Sequence, residues 1–132
     1  MGTTLDTGAL IGLQRRTRRM RTVWAKLVER KETITVPAAV LVECWANPTK
    51  EQKEMLALCN VEQLTKDLAI EAAKARAAVG GSVSAVDAVV MASAASRGDI
   101  VYTGDYDDLA RLRDAYYRSI KLLSTSGSDG DQ

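Results

Sequence analysis

Two periods of apolar spacing run along the chain, and the switches between them mark its elements. Thr3-Thr4-Leu5 is a short extended run ending at Asp6, and a helix is predicted from Thr7 or Gly8 onward. Met20, Val23, Trp24, Leu27 and Val28 recur at helical intervals as an apolar stripe. If one helix runs through, Arg15, Arg18, Arg19 and Lys26 project from its opposite face. Thr33 to Val36 is short and β-branched, a second strand. Pro37 suits the first turn of the helix that follows through Glu43, and Asn47-Pro48 breaks it. Lys50 to Leu58 reads as helical, and Val61 to Leu64 as a third strand. Thr65 caps an alanine-rich helix that reaches Val79 and stops at Gly80-Gly81. A further helix runs from about Ser84 to Ser96 and closes at Gly98. Ile100 to Tyr102 is a fourth strand, Asp107 to Tyr116 a helix, and Ser119 to Leu123 a last strand.

Strands separated by helices of this length imply βαβ units, hence a parallel sheet with helices on both faces. The expectation is one domain over residues 1–123, with a Ser-, Gly- and Asp-rich unstructured tail over 124–132. At 132 residues and 46% hydrophobic content the chain can bury a single core. No apolar run approaches the roughly 20 residues of a membrane-spanning helix. The opening MGTTLDTGAL lacks a basic region followed by an apolar stretch, so the reading is a cytoplasmic protein. Cys44 and Cys59 make no metal-ligand spacing and read as reduced, buried thiols.

Histidine is absent, which removes Ser-His and Cys-His nucleophile systems and every His-containing zinc site. The net charge of +1 hides an asymmetry. Residues 14–31 hold eight basic side chains against Glu29 alone, a net of +7, which leaves the remainder near −6. Such a segment suggests a polyanion contact at one place, or else a solvated helix face. Arginine dominates it, and the guanidinium fork bonds two phosphate oxygens at once.

Four acids lie beside apolar residues at the ends of elements. Asp6 follows the first strand, Asp105 the fourth, Glu43 sits within Val40-Leu41-Val42-Glu43-Cys44-Trp45, and Asp87 within Val86-Asp87-Ala88-Val89-Val90. Ligands of open α/β sheets bind at the carboxyl ends of strands where strand order reverses, and Asp6 and Asp105 meet there if strands one and four are neighbours. Clustered carboxylates need a compensating cation, and an all-oxygen set favours Mg²⁺ or Mn²⁺ over zinc or copper. Such sites hydrolyse phosphodiesters. Taken singly, each Asp also suits a helix cap: Ser84 to Asp87 matches a capping box, and Asp6 and Asp105 stand at helix starts. Glu43 fits that account less well, because a carboxylate among apolar neighbours is costly to bury unpaired.

Leu5-Asp6-Thr7-Gly8-Ala9-Leu10-Ile11 resembles the opening of PIN-domain ribonucleases. Pro37 to Glu43 is similar to the segment bringing their second acid, Val86 to Ala92 to the third-acid helix, and Val101 to Leu109 to the fourth-acid turn. Order and spacing agree over residues 3–123, and the size resembles VapC-type toxins of bacterial toxin–antitoxin pairs. The resemblance implies an α/β/α sandwich with a parallel sheet in the order 3-2-1-4-5. It implies Asp6, Glu43, Asp87 and Asp105 as catalytic, metal-binding acids, with Asp108 and Thr103 as auxiliaries. It also implies Mg²⁺ or Mn²⁺ as cofactor, RNA as substrate, an antitoxin partner and a homodimer. Arg15, Arg18 and Arg19 become candidates for RNA or partner contact. The first strand is short and polar for the family, and Asp107 competes with Asp108 for the place near the metal.

Two rivals bear on function. A receiver-like phospho-switch wants paired acids after the first strand and a lysine after the last, whereas here Asp6 stands alone and Lys121 lies in the last strand. A catalytically idle PIN fold acting as a binding module is the stronger rival, since intact acids establish capacity and not use.

Overall fold

A computed structural model of the chain describes residues 2–126. Strands β1 (Thr3–Leu5), β2 (Ile34–Pro37), β3 (Asn60–Glu62), β4 (Ile100–Thr103) and β5 (Leu122–Ser124) pair in parallel in the order β3-β2-β1-β4-β5. The sheet is flanked by α1 (Thr7–Gln14), α2 (Arg18–Glu29), α3 (Ala38–Cys44), α4 (Lys50–Ala57), α5 (Lys66–Ala78), α6 (Ala85–Arg97) and α7 (Tyr106–Ala115). Every residue of β1 and β2 is buried, as in parallel strands covered on both faces. Leu5, Val36 and Val101 from the sheet meet Leu10, Val40, Met91 and Leu109 from the helices in the main core. Among the described residues no helix is long and apolar enough to cross a membrane.

The polarity of β1 has a physical reason. Thr4 Oγ1 donates to the buried Asp99 carboxylate at 2.8 Å, and Thr3 Oγ1 donates to Glu32 at 3.2 Å. Arg97, at the end of α6, joins this network. It donates to Asp99 at 3.0 Å, to Glu62 at 2.7 Å, and to the hydroxyls of Thr4 and Ser93 at 2.9 Å each. One guanidinium therefore ties β1, β3 and α6 together, with each buried polar group finding a partner.

Several boundaries differ from expectation. The first helical region is two helices. Arg16 adopts φ 55, and the Thr17 side chain caps α2 by accepting from the Met20 N–H. The break lets α2 cross α1 closely, since a Cβ at Gly12 would stand 2.7 Å from Met20 Cγ. Arg15 is thus separated from Arg18 and Arg19. Pro37 ends β2 and occupies the cap position of α3, one residue before the first helical turn. The third strand ends at Glu62, and Leu64 lies beyond it, 47% exposed, because β3 is an edge strand with little core to face. The last strand runs Leu122–Ser124, so Lys121 precedes it and Ser124 belongs to the fold, not to a tail. Residues 127–132 of the expected tail lie outside the described residues. The helix expected to begin at Asp107 starts at Tyr106.

Candidate metal centre

The strand order makes β1 and β4 neighbours, so Asp6 and Asp105 emerge side by side at the carboxyl edge of the sheet. Asp6 is 2% exposed. Its carboxylate caps α1 by accepting from the Ala9 N–H at 2.8 Å, and it accepts from the Gly104 N–H at 3.1 Å and from the Thr103 hydroxyl. Burial pushes the Asp6 carboxyl above its usual range, while these hydrogen bonds pull the other way. The bond to Gly104 requires two backbones to touch: a Cβ on Gly8 would stand 2.6 Å from Gly104 Cα. Glycine at both positions permits that approach.

Asp87 lies in the first turn of α6. Ser84 Oγ accepts from the Asp87 N–H at 3.0 Å, which is one half of a capping box. The reciprocal bond to the Ser84 N–H is not made, and Asp87 Oδ2 is buried with no hydrogen-bond partner among the described residues. Burial first, then the adjacent Asp105, raise the Asp87 carboxyl to about 8. Asp105 opens α7 without using its carboxylate as a cap, and its N–H donates to Thr103 Oγ1 at 2.8 Å. Thr103 thus links Asp6 to Asp105.

Carboxylate oxygens of Asp87, Asp105 and Asp108 lie within 4.8 Å of one another. Asp107 is not part of that group. Asp108 is also held by Arg111 at 2.6 Å, and Arg111 in turn donates to Ser82 Oγ at 2.7 Å. Glu43 stands apart from the three. It is exposed, which overturns the burial argument for it, and it accepts from the Thr7 hydroxyl at 2.5 Å beside Asp6. An open cavity of about 310 Å³ runs along the turn 104–108 to Ser124 and Ser126. Arg19 Nε donates to the carbonyl of Ser124, one of the residues lining that cavity, at 3.4 Å. Arg15 and Arg18 are exposed, and the neighbouring Arg16 pairs with Glu51.

Sequence reasoning missed Thr7, Tyr106, Ser124 and Ser126 around the site. No sequence signal marks the serines, because they reach the cavity through the pairing of β5 with β4. The donors present suit a hard divalent cation: all are oxygens, one is buried and unpartnered, and a cation relieves the repulsion from Asp105 that adds to burial in raising Asp87.

The sheet is parallel and covered by helices, and its carboxylates gather where strand order reverses, the place where ligands of open α/β sheets bind. The model of the PIN domain matches residues 3–115, and the chain belongs to the PIN-domain family. Comparison with curated proteins gave no match. Among solved structures the chain is similar to one in a toxin–antitoxin complex from Klebsiella pneumoniae, at 16% identity and TM-score 0.71, covering 94% of this chain and 98% of that one. It is similar to a chain of VapBC2 from Rickettsia felis bound to a promoter DNA fragment, at 11% identity, TM-score 0.69, and coverage of 94% and 98%. A chain of VapBC-1 from nontypeable Haemophilus influenzae matches at 14% identity and TM-score 0.68, with coverage of 96% and 100%.

Proposed function

We propose that this protein is a Mg²⁺- or Mn²⁺-dependent endoribonuclease, the VapC-type toxin of a toxin–antitoxin pair. The observation that carries the reading is the trio Asp87, Asp105 and Asp108, with the orphaned Asp87 Oδ2 among them. Membership of the PIN-domain family, generally nucleases, supports hydrolysis of a phosphodiester. These three acids would hold the ion, with Asp6 beside them and Glu43 reaching the edge through Thr7. When bound, the ion neutralises the acids, lowers the cost of deprotonating water and stabilises the departing oxygen. The chain's own task is positioning. Ala9, Gly104 and Thr103 fix the Asp6 carboxylate, and Thr103 also orients the start of α7 behind Asp105. Arg111 restrains Asp108.

The similarity to chains of toxin–antitoxin complexes supports a cognate antitoxin as partner, and action in the cytoplasm is part of the same proposal. A homodimer is part of the proposal, supported by exposed apolar side chains such as Val42 (87%) and Leu58 (66%). A monomeric mass at micromolar concentration would remove it. The catalytic claim is tested by incubating pure protein with total RNA. Cleavage should need Mg²⁺ or Mn²⁺, stop with chelator, and fall by about 100-fold or more in Asp87→Asn or Asp6→Asn, as for loss of an electrostatic catalytic group. Full activity in either folded variant sinks the assignment.

A further inference from the structure

We propose that Tyr106 is a base-stacking residue that holds an unpaired base of single-stranded RNA next to the acid cluster; this rests on the ribonuclease reading above. Tyr106 is the first residue of α7, between Asp105 and Asp107, and its side chain is 38% exposed. It lines the cavity of about 310 Å³ that also contains Asp105 and Asp108, a volume in the range of small-ligand sites.

The other aromatic rings are committed elsewhere. Trp24, Trp45, Tyr102 and Tyr117 pack against the core. Tyr116 meets the edge of Tyr117 with ring centroids 4.8 Å apart, and its hydroxyl donates to Glu71 at 3.4 Å. Tyr106 is therefore the ring presented at the site.

Charge decides which part of a nucleotide the ring receives. Asp107, outside the trio that would hold the ion, repels a phosphate beside the ring, but an uncharged base face meets no such penalty. Stacking needs a base free of its duplex, so the substrate class is single-stranded RNA. Since every base has a π face, Tyr106 would contribute affinity with little sequence preference. Ser124 and Ser126 complete the lining of the cavity on its β5 side.

The test uses a single-stranded RNA oligonucleotide that the wild-type protein cleaves, and the same strand with the bases flanking the cleaved bond removed. Binding is measured on Asp87→Asn protein to prevent turnover. Adding Tyr106→Leu should weaken the intact strand by roughly five- to 150-fold, the usual range for one stacked base. It should leave the base-free strand almost unchanged, while Tyr106→Phe stays near the parent. Equal losses on both strands, or none on either, overturn the proposal while cleavage by the wild-type protein stands. If the wild-type protein cleaves no RNA with Mg²⁺ or Mn²⁺, the ribonuclease reading and the stacking role fall together.

Discussion

Asp87 carries the largest electrostatic cost in the site, and its sign can be worked through. Its carboxyl is raised from 3.8 to about 8, so between those values the folded chain holds a proton that the unfolded chain releases. Metal-free stability attributable to this group is greatest below pH 4 and falls as pH rises toward 8, by an amount on the order of a few kcal/mol. Thermal unfolding in chelator should therefore show Asp87→Asn overtaking the wild type as pH increases, and saturating Mg²⁺ or Mn²⁺ should close the gap. Parallel pH profiles for the two proteins would contradict it. The same residue shows how far the sequence reaches. Its position one turn into a helix after Ser84 was legible, but whether it served as a cap was not. The deciding fact, an Oδ2 with no donor, depends on what packs around it. Asp6 does cap its helix and also faces the site, so the two readings of that residue are compatible. Glu43 was argued from apolar neighbours in sequence, yet Val42 beside it is 87% exposed, because α3 presents that face outward.

At the scale of elements, the βαβ order and most helices follow from periodicity and caps. What periodicity could not show is where strands end when pairing sets their length. The edge strand β3 stops at Glu62, whose carboxylate is taken by Arg97 at 2.7 Å. Residues 119–121 stay outside β5, although Ile120 is buried. Nor could it show the break at Arg16, which depends on α1 and α2 crossing at Gly12. The Arg97 network was invisible because its members are scattered over Thr4, Glu62, Ser93 and Asp99. It yields a prediction: Arg97→Met leaves Asp99, 4% exposed, without its cation. That should cost about 3–5 kcal/mol in urea unfolding. Divalent-ion affinity should survive, since Asp87 lies ten residues away along α6, about 15 Å at helical rise. A loss under 1 kcal/mol would show the network to be dispensable.

The whole molecule separates its charge. Acids gather at the carboxyl edge of the sheet, while arginines occupy the end of α1 and the start of α2, with Arg19 hydrogen-bonded to the Ser124 carbonyl. Neutralising Arg15, Arg18 and Arg19 together should weaken RNA binding and flatten its salt dependence by roughly one unit of log-log slope per lost phosphate contact. Unchanged RNA binding with impaired antitoxin binding would assign that region to the partner instead. The topology that joins these features was implied by the family resemblance and is the one found, order β3-β2-β1-β4-β5. The central claim is that the carboxylates at this edge hold the ion on which RNA cleavage depends. The most direct measurement is Mn²⁺ binding followed by electron paramagnetic resonance at pH 8 in wild type and Asp105→Asn. The account predicts saturable binding in the wild type and a loss of ten-fold or more in the variant, as when one close charge partner is removed. Equal affinities, or no bound Mn²⁺ in a protein that still cleaves RNA, would contradict it.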